Sequence, residues 1–490
     1  MLLYLTLLLP LVGGAVLPLF RFKSVKSRGI YVEAVVLATT ALVWILLLNR
    51  TEETFVLYHM TDALALSFKV DGLSCVFTGL VSFLWPLASL YGFEYMTHEE
   101  RPNTFFAYYT MTYGVTLAIA TAANLFTLYV FYECLTMITL PLVIHKKDAR
   151  SIHAGRKYVY YSIGGAALAF IGLIFSIYYG LNPNFTLGGL LDPAKIAGRE
   201  DLLRAVFLLA FVGFGTKAAL FPMYAWLPAA SVAPTPVTAL LHAVAVVNAG
   251  AYAVLRVIYY VFGTELLFGT WVQTVALALS CFTILFGSAM AVKEQHFKRR
   301  LAYSTVSNLS YMLMGAALMT PDGMVGSLSH LVLHGLMKIT LFYCAGAILI
   351  KTEQEYVQDL RGFGKVMPFT CAVFTLGSVA MVGIPPLCGF VSKWNLLTAA
   401  SATGLSMGVV AVCTLIVSAI LTAIYLFGVA GPMYFRPVNR ELEGLTSEKH
   451  DPSWMMKLPL TVLCIAMVVL GVYSQPLVTF LRGIAAGTIF

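Results

Sequence analysis

Apolar runs of about 18 to 25 residues, parted by short polar loops, recur along the whole 490-residue chain. A run of about 20 apolar residues is what a helix needs to cross the hydrocarbon core of a bilayer, so each run predicts a membrane span. On that rule the chain holds about 14 spans. They lie at 2–19, 30–48, 72–93, 104–123, 124–144, 158–180, 202–229, 235–262, 268–290, 301–319, 325–350, 368–400, 407–432 and 459–480. The seventh and twelfth are longer than the rest and carry prolines near their middles, Pro222 in one and Pro385-Pro386 in the other. Proline lacks a backbone donor and cannot continue a helix, so both spans are predicted to be broken.

Two broken helices five spans apart predict two five-helix repeats, spans 4 to 8 and spans 9 to 13. An odd number of helices forces the second copy to insert upside down, and inverted repeats of this kind place ion sites near the midplane. The expected fold is therefore an all-α polytopic membrane protein, a single domain over 1–490. Its parts are the N-terminal spans (1–103), a first repeat (104–262), a second repeat (263–432), and a polar loop with the last span (433–490). No Gly/Ser-rich or Pro-rich linker divides it.

Composition narrows the function. At 59% hydrophobic and 11% charged, the chain lacks the polar surface that several soluble domains would need. A net charge of +8 would suit nucleic acid, but the basic residues sit in short loops between spans, where membrane topology explains them. The loops 21–29, 145–157 and 293–300 hold most of the Lys and Arg and fall on one side. That side is expected to be cytoplasmic, with both termini facing away from it across the cell membrane. On the same side, 351–367 and 433–457 mix both signs of charge, as solvated or partner-facing loops do. The eight cysteines are scattered without CxxC spacing and read as small apolar residues. The N-terminal stretch has no basic lead and no Ala-x-Ala cleavage site, so it reads as a retained first span.

Ionisable residues deep inside spans carry the candidate chemistry: Glu133, Lys217, His242, His330, His334, Lys338 and Lys393. A lysine at the centre of a membrane helix costs about 2.5 to 3.5 kcal/mol on insertion scales. Lys217 and Lys338 lie too deep in their spans to snorkel easily, whereas Glu33 and Arg256 lie nearer helix ends and read as interfacial. His330, His334 and Lys338 follow at i, i+4 and i+8, so they share one helix face and suit a proton relay. The bland reading is that they hydrogen-bond neighbouring helices and fix packing. Glu133 and Lys217 are natural partners, because a lone buried charge favours its neutral form and an opposite charge nearby restores it. Moving the carboxylate would switch Lys217 between holding and releasing a proton; the rival reading is a static ion pair.

At these residues the sequence resembles the antiporter-like subunits of respiratory complex I and their relatives in Mrp-type cation/proton antiporters and membrane-bound hydrogenases. The resemblance rests on Tyr132-Glu133, Lys217 with Trp226-Leu227-Pro228, Ala233-Pro234-Thr235-Pro236-Val237 and Leu241-His242-Ala243. It also rests on the runs KRRLAYSTVSNLSY (298–311), SHLVLHGLMK (329–338) and GIPPLCGFVSKW (383–394). It implies the 14-helix inverted-repeat fold, Glu133 and Lys217 as the family's glutamate-lysine pair, and a hydrated axis lined by His330, His334 and Lys338. Lys393 is then the terminal lysine of the second broken helix. The chain departs from the family at Tyr224, Ala229 and Asn248, where histidine, aspartate and lysine are common. Asparagine does not titrate, which leaves His242 or water to join the two halves. The chain ends soon after its last span, without the long lateral helix of the largest complex I member. It therefore looks more like the middle-sized chains M and N, the Mrp D-type subunit or the hydrogenase homologues.

The sequence thus reads as a subunit that moves protons or sodium ions within a complex I-related redox pump or an Mrp-type antiporter. Its expected partners are other membrane subunits, and possible peripheral redox subunits, since the chain has no Gly-rich phosphate loop or clustered Cys and is expected to bind no cofactor or metal of its own. A self-contained secondary transporter of a small organic substrate is the rival from another class, and it would work without partners. A purely structural scaffold conflicts with the number of ionisable groups inside spans.

Overall fold

The computed structural model describes residues 2–20, 22, 24–49, 53–61, 64–404, 406–438 and 450–489. Part of the polar loop expected over 433–457, and parts of the 21–29 loop, lie outside them. Helices α1 (Leu2–Val16) and α2 (Val25–Asn49) lead into a hairpin of β1 (Phe55–His59) and β2 (Ala65–Phe68). Then follow α3 (Gly72–Tyr95), α4 (Pro102–Ala120), α5 (Leu125–Val143), α6 (Ala149–Tyr179) and the short α7 (Pro193–Ile196). The first interrupted segment is α8 (Glu200–Gly215) with the single turn α9 (Trp226–Ala229), after which α10 (Thr235–Ala243) and α11 (Val246–Arg256) run nearly end to end. The turn α12 (Thr264–Leu267) leads to α13 (Trp271–Lys293), α14 (Phe297–Ala317) and α15 (Pro321–Thr352). The turn α16 (Phe363–Val366) precedes the second interrupted segment, α17 (Pro368–Val382) and α18 (Cys388–Ala402). Helices α19 (Ser406–Phe435), α20 (Trp454–Val472) and α21 (Gln475–Ala485) complete the bundle.

Side-chain caps fix several helix starts. Asp71, Asn124, Asp148 and Thr320 each accept a hydrogen bond from a backbone amide of the following turn. Among the described residues, ten helices are long and apolar enough to cross a membrane, and the two interrupted segments fall short of continuous spanning length. Burial within the chain separates the helices into two kinds. Outer helices such as α2 and α20 bury 28% of their spanning window, whereas the segment Thr235–Phe262 buries all of it and α15 buries 89%. Polar residues on the outer helices could face lipid or partners. On α10, α11 and the middle of α15 they face the chain's own interior.

The structure modifies three sequence expectations. The all-α architecture carries a small antiparallel hairpin, whose strand FVLYH is β-branched and aromatic and mostly exposed. The last span expected at 459–480 is two helices, α20 and α21, because Pro476 lacks the amide needed to continue the first and starts the second. Arg256, expected near a helix end at the interface, does end α11 but is fully buried within the chain. It sits at the end of α11, where the backbone widens into a π turn over Val257–Phe262, and binds Asp71 with two hydrogen bonds of 2.5 and 2.7 Å. Ser74, Tyr252 and the Phe185 and Tyr260 rings complete its surroundings. A guanidinium this deep is retained only because every face meets an acceptor or a π system.

Candidate functional site

Helix α8 packs backbone to backbone on α6: a Cβ added at Gly213 would lie 2.4 Å from the amide nitrogen of Ala169. The helix then ends at Gly215, and the chain runs without regular helix to Ala225, past Pro222. Freed backbone groups find partners here, as they must inside a membrane. The Trp226 indole donates to the Thr216 carbonyl at 2.8 Å, and the Phe221 amide donates to the Thr283 hydroxyl at 3.1 Å. Lys217 lies in this break, buried. Its ammonium donates to the carbonyl of Tyr132, stands 3.5 Å from a Glu133 carboxylate oxygen, and lies 3.5 Å from the centre of the Tyr132 ring. The Tyr132 hydroxyl donates to the Phe214 carbonyl at 2.7 Å, which fixes α5 against the last turn of α8. The Glu133 side chain is 23% exposed while that of Lys217 is 1% exposed, so the pair is asymmetric: the acid reaches the outer surface of the chain and the base does not.

His242 lies in the last turn of α10, just before a kink at residues 244–245. The side-chain amide of Asn248 donates to the Ala243 carbonyl at 2.9 Å and so occupies an acceptor that the kink releases. Helix α11 also packs on the first break, since Gly250 lies on the backbone of Lys217 and Ala218. The His242 ring lies 4.8 Å from that of Phe342 on α15. It is within electrostatic reach of Lys338 and His334.

On α15 the expected face is present. The rings of His330 and His334 stack at 5.6 Å, and one turn further on Lys338 donates to the Ser304 hydroxyl and, at 3.5 Å, to the Leu301 carbonyl of α14. His330 shares a 3.0 Å hydrogen bond with Ser392 of α18 and lies 5.2 Å from Tyr311. Beyond Tyr311, with 5.5 Å from ammonium to ring centre, is Lys393. Its ammonium donates to the carbonyls of Met381 at 2.8 Å and Val382 at 3.0 Å, the last of the preceding half-helix. Gly383 allows this: its φ of +93° ends α17 in the left-handed region, and a Cβ there would come within 2.9 Å of the Lys393 side chain.

The structure therefore brings Glu133 to Lys217, and sets Lys338, His334 and His330 along one face of α15 with Lys393 beyond Tyr311 and His242 within electrostatic reach of that face. Both ring nitrogens of His242 and of His334, and Nε2 of His330, are buried without a hydrogen-bond partner among the described residues. Buried polar atoms are ordinarily paired, so a cluster of unpaired ones along one path marks a place for water or an exchanging proton. Sequence reasoning missed Lys298, which is buried and donates to the Ala233 carbonyl at 2.8 Å, where the chain turns into the Pro234-Thr235-Pro236 restart. It missed the serines that hold Lys338 and His330 as well. Lys298 was detectable as the first residue of the KRRLAYSTVSNLSY run; the serines carry no signal until the helices are placed.

The chain is similar in sequence and fold to known membrane proteins. Residues 122–422 match the family model described as NADH:quinone oxidoreductase/Mrp antiporter, TM, and residues 60–106 match that of NADH-ubiquinone oxidoreductase (complex I), chain 5 N-terminus. NADH-quinone oxidoreductase subunit N of Desulforudis audaxviator is 32% identical over 426 residues, covering 84% of this chain and 82% of the relative. A probable K(+)/H(+) antiporter component of Rhizobium meliloti is 30% identical and covers 85% of this chain, but the match spans only 42% of that longer protein. In fold, the chain superposes on one from the membrane-bound sulfane sulfur reductase, an archaeal respiratory membrane complex. The TM-score is 0.84 at 22% identity, over 99% of this chain and 97% of that one.

Proposed function

Because the chain belongs to the NADH:quinone oxidoreductase/Mrp antiporter membrane family, we propose that it carries protons across the membrane as one subunit of a larger complex. The observation that carries this reading is the buried row from His242 through Lys338, His334 and His330 to Lys393, with its unpaired imidazole nitrogens. An imidazole accepts a proton at one nitrogen and donates from the other, so neighbouring rings bridged by water pass protons without moving far. Nitrogen bases of this kind suit a proton better than a hard metal cation, which prefers oxygen ligands. Glu133 and Lys217 act as the switch at the first break: with the carboxylate near, the ammonium keeps its charge, and with it withdrawn, the buried lysine releases a proton to the row. The relatives' names place them in complex I and cation/proton antiporters, so the driving reaction is assigned to partner subunits. The basic loops 145–157 and 293–300 face the cytoplasm in this reading.

Proton uptake by the assembled complex in sealed vesicles, followed with a pH-sensitive dye, tests it. Lys217→Ala and Glu133→Ala should each lose most transport while the subunit stays assembled, and Glu133→Asp should lose less. If either variant instead disappears from the membrane, with transport per assembled complex unchanged, the pair is structural and the switch is wrong. Transport that follows sodium and ignores the proton gradient would replace the proton with sodium as the ion carried.

A further inference from the structure

We propose that a cavity on the basic side of the molecule holds the phosphate headgroup of an anionic phospholipid. The cavity, of about 640 Å3, opens between the start of α6, the turn α9 and the first turns of α14. Arg150, His153 and Lys157 line it from α6, Arg299 and Tyr303 from α14, and Tyr224 from the break below. The α6 residues follow at i, i+3 and i+7 and so share one helix face. No Asp or Glu is among the described residues that line it.

Two carboxylates stand beside the cavity, and both are engaged. Asp148 caps α6, accepting from the Ser151 amide at 2.8 Å, and lies within electrostatic range of Arg150 without forming an ion pair with it. Glu294 binds Arg299 at 2.9 Å and accepts from the His296 amide at 3.0 Å. One cation is thus matched, while neither Arg150 nor Lys157 has an ion pair among the described residues. A concave site with unmatched Lys and Arg is complementary to phosphate, which accepts several charge-assisted hydrogen bonds at once.

The walls below the cavity choose between a free anion and a lipid. Tyr224 lies 4.7 Å from Phe286 and stacks on Phe221 at 6.0 Å, and Phe221 lies 4.8 Å from Phe282. Phe286 and Phe282 are one turn apart on α13, so the aromatic wall leads from the basic mouth along α13 and away from its basic end at Lys293. Phe282 is 50% exposed. A free phosphate would use the mouth alone. An exposed aromatic wall continuous with that mouth is what the acyl chain of a phospholipid requires, and tyrosine at the join is common at membrane interfaces.

The full chain, purified and reconstituted in phosphatidylcholine vesicles, provides the test. The vesicles carry a trace of phosphatidylglycerol, or of phosphatidylcholine, bearing a photoreactive acyl chain, and the labelled peptides are mapped. Phosphatidylglycerol should label the α13 peptide containing Phe282 at least about fivefold more than phosphatidylcholine does. That preference should fall by about fivefold for each cation removed in Arg150→Gln and Lys157→Gln, and persist in Arg150→Lys. It should also fall as salt is raised around the wild-type chain, a measurement that needs no variant to fold. Equal labelling by the two lipids, or a preference indifferent to both salt and these variants, overturns the proposal. So does a site where inorganic phosphate shields Lys157 from an amine-reactive reagent but phosphatidylglycerol neither labels α13 nor shields it.

Discussion

Lys393 donates its ammonium to the carbonyl of Met381 at 2.8 Å, across the break that separates α17 from α18. The lysine thereby completes the C-terminus of one half-helix from inside the other, and no carboxylate is needed to hold it there. Its removal should be felt twice. Lys393→Met should abolish most proton transport and lower stability by about 1 to 3 kcal/mol, because the carbonyls of Met381 and Val382 lose a charged donor inside the bundle. Lys393→Arg keeps the donor but does not release a proton, so it should restore stability and leave transport low. Thermal unfolding of the purified chain, set beside transport by the assembled complex, separates the two effects. Recovery of both in the arginine variant would assign this position to structure alone.

The Asp71–Arg256 pair should behave in the opposite way. Removing one partner of a buried ion pair leaves an uncompensated charge and costs about 3 to 5 kcal/mol, whereas replacing both with apolar groups is often close to neutral. Asp71→Leu should therefore leave little folded protein in the membrane, and Asp71→Leu with Arg256→Met should recover much of it. The yield of assembled protein checks this. If the double variant is no better than the single, the interaction is more than an exchangeable clamp.

How much of this was legible depended on whether a residue's meaning lay in its neighbours along the chain. Pro222 and Pro385-Pro386 mark their breaks by local chemistry, and His330, His334 and Lys338 share a face by helical arithmetic, so both features were readable. The burial of Arg256 was missed because its partner Asp71 is 185 positions away and nothing local records the pairing. Asn248 looked like a gap in the relay, and the structure gives its amide a different task, holding the Ala243 carbonyl at the kink. Ser304 and Ser392 resemble any buried serine until α14 and α18 are placed against α15. The hairpin over Phe55–His59 and Ala65–Phe68 escaped because it is short and set between long apolar runs that dominate the pattern.

Outside the spans, the segment after α15 is tied to the start of α14 by two backbone hydrogen bonds, Phe297 to Glu355 at 2.8 Å and Val357 to Gln295 at 3.0 Å. The Glu355 carboxylate lies 3.5 Å from the His296 ring, and that hydrogen bond, with attraction from His296 and Lys298, lowers its pKa from the usual value. A depressed carboxylate pKa stabilises the folded form above the unfolded pKa, about 4.3, and the contribution is lost as pH falls through the folded value. Amide exchange at Phe297 and Val357, corrected for the intrinsic effect of pH, should quicken as the pH drops below about 4. In Glu355→Gln the corrected rates should no longer depend on pH in that range. Unchanged exchange in the wild-type chain at low pH would show that the backbone bonds alone hold the strap.

The decisive position for the relay is Lys338. It stands one turn beyond His334 on the same face of α15, within electrostatic reach of His242, and it is held by the Ser304 hydroxyl and the Leu301 carbonyl of α14. These acceptors tolerate either a charged or a neutral amine, whereas a carboxylate in the same place would hold the charge fixed. A relay residue must change charge on every cycle, and a structural residue must not. Arginine distinguishes the two, because its guanidinium keeps the positive charge and supplies donors to the same oxygens but stays protonated at accessible pH. Lys338→Arg should therefore assemble normally and transport almost no protons, while Lys338→His, which keeps a titrating nitrogen, should retain part of the activity. The measurement is proton transport per assembled complex in sealed vesicles, with the amount of assembled protein determined in the same preparation. Full transport in the arginine variant would mean that the position needs only fixed charge, and the row from His242 to Lys393 would then be a packing motif and not a path.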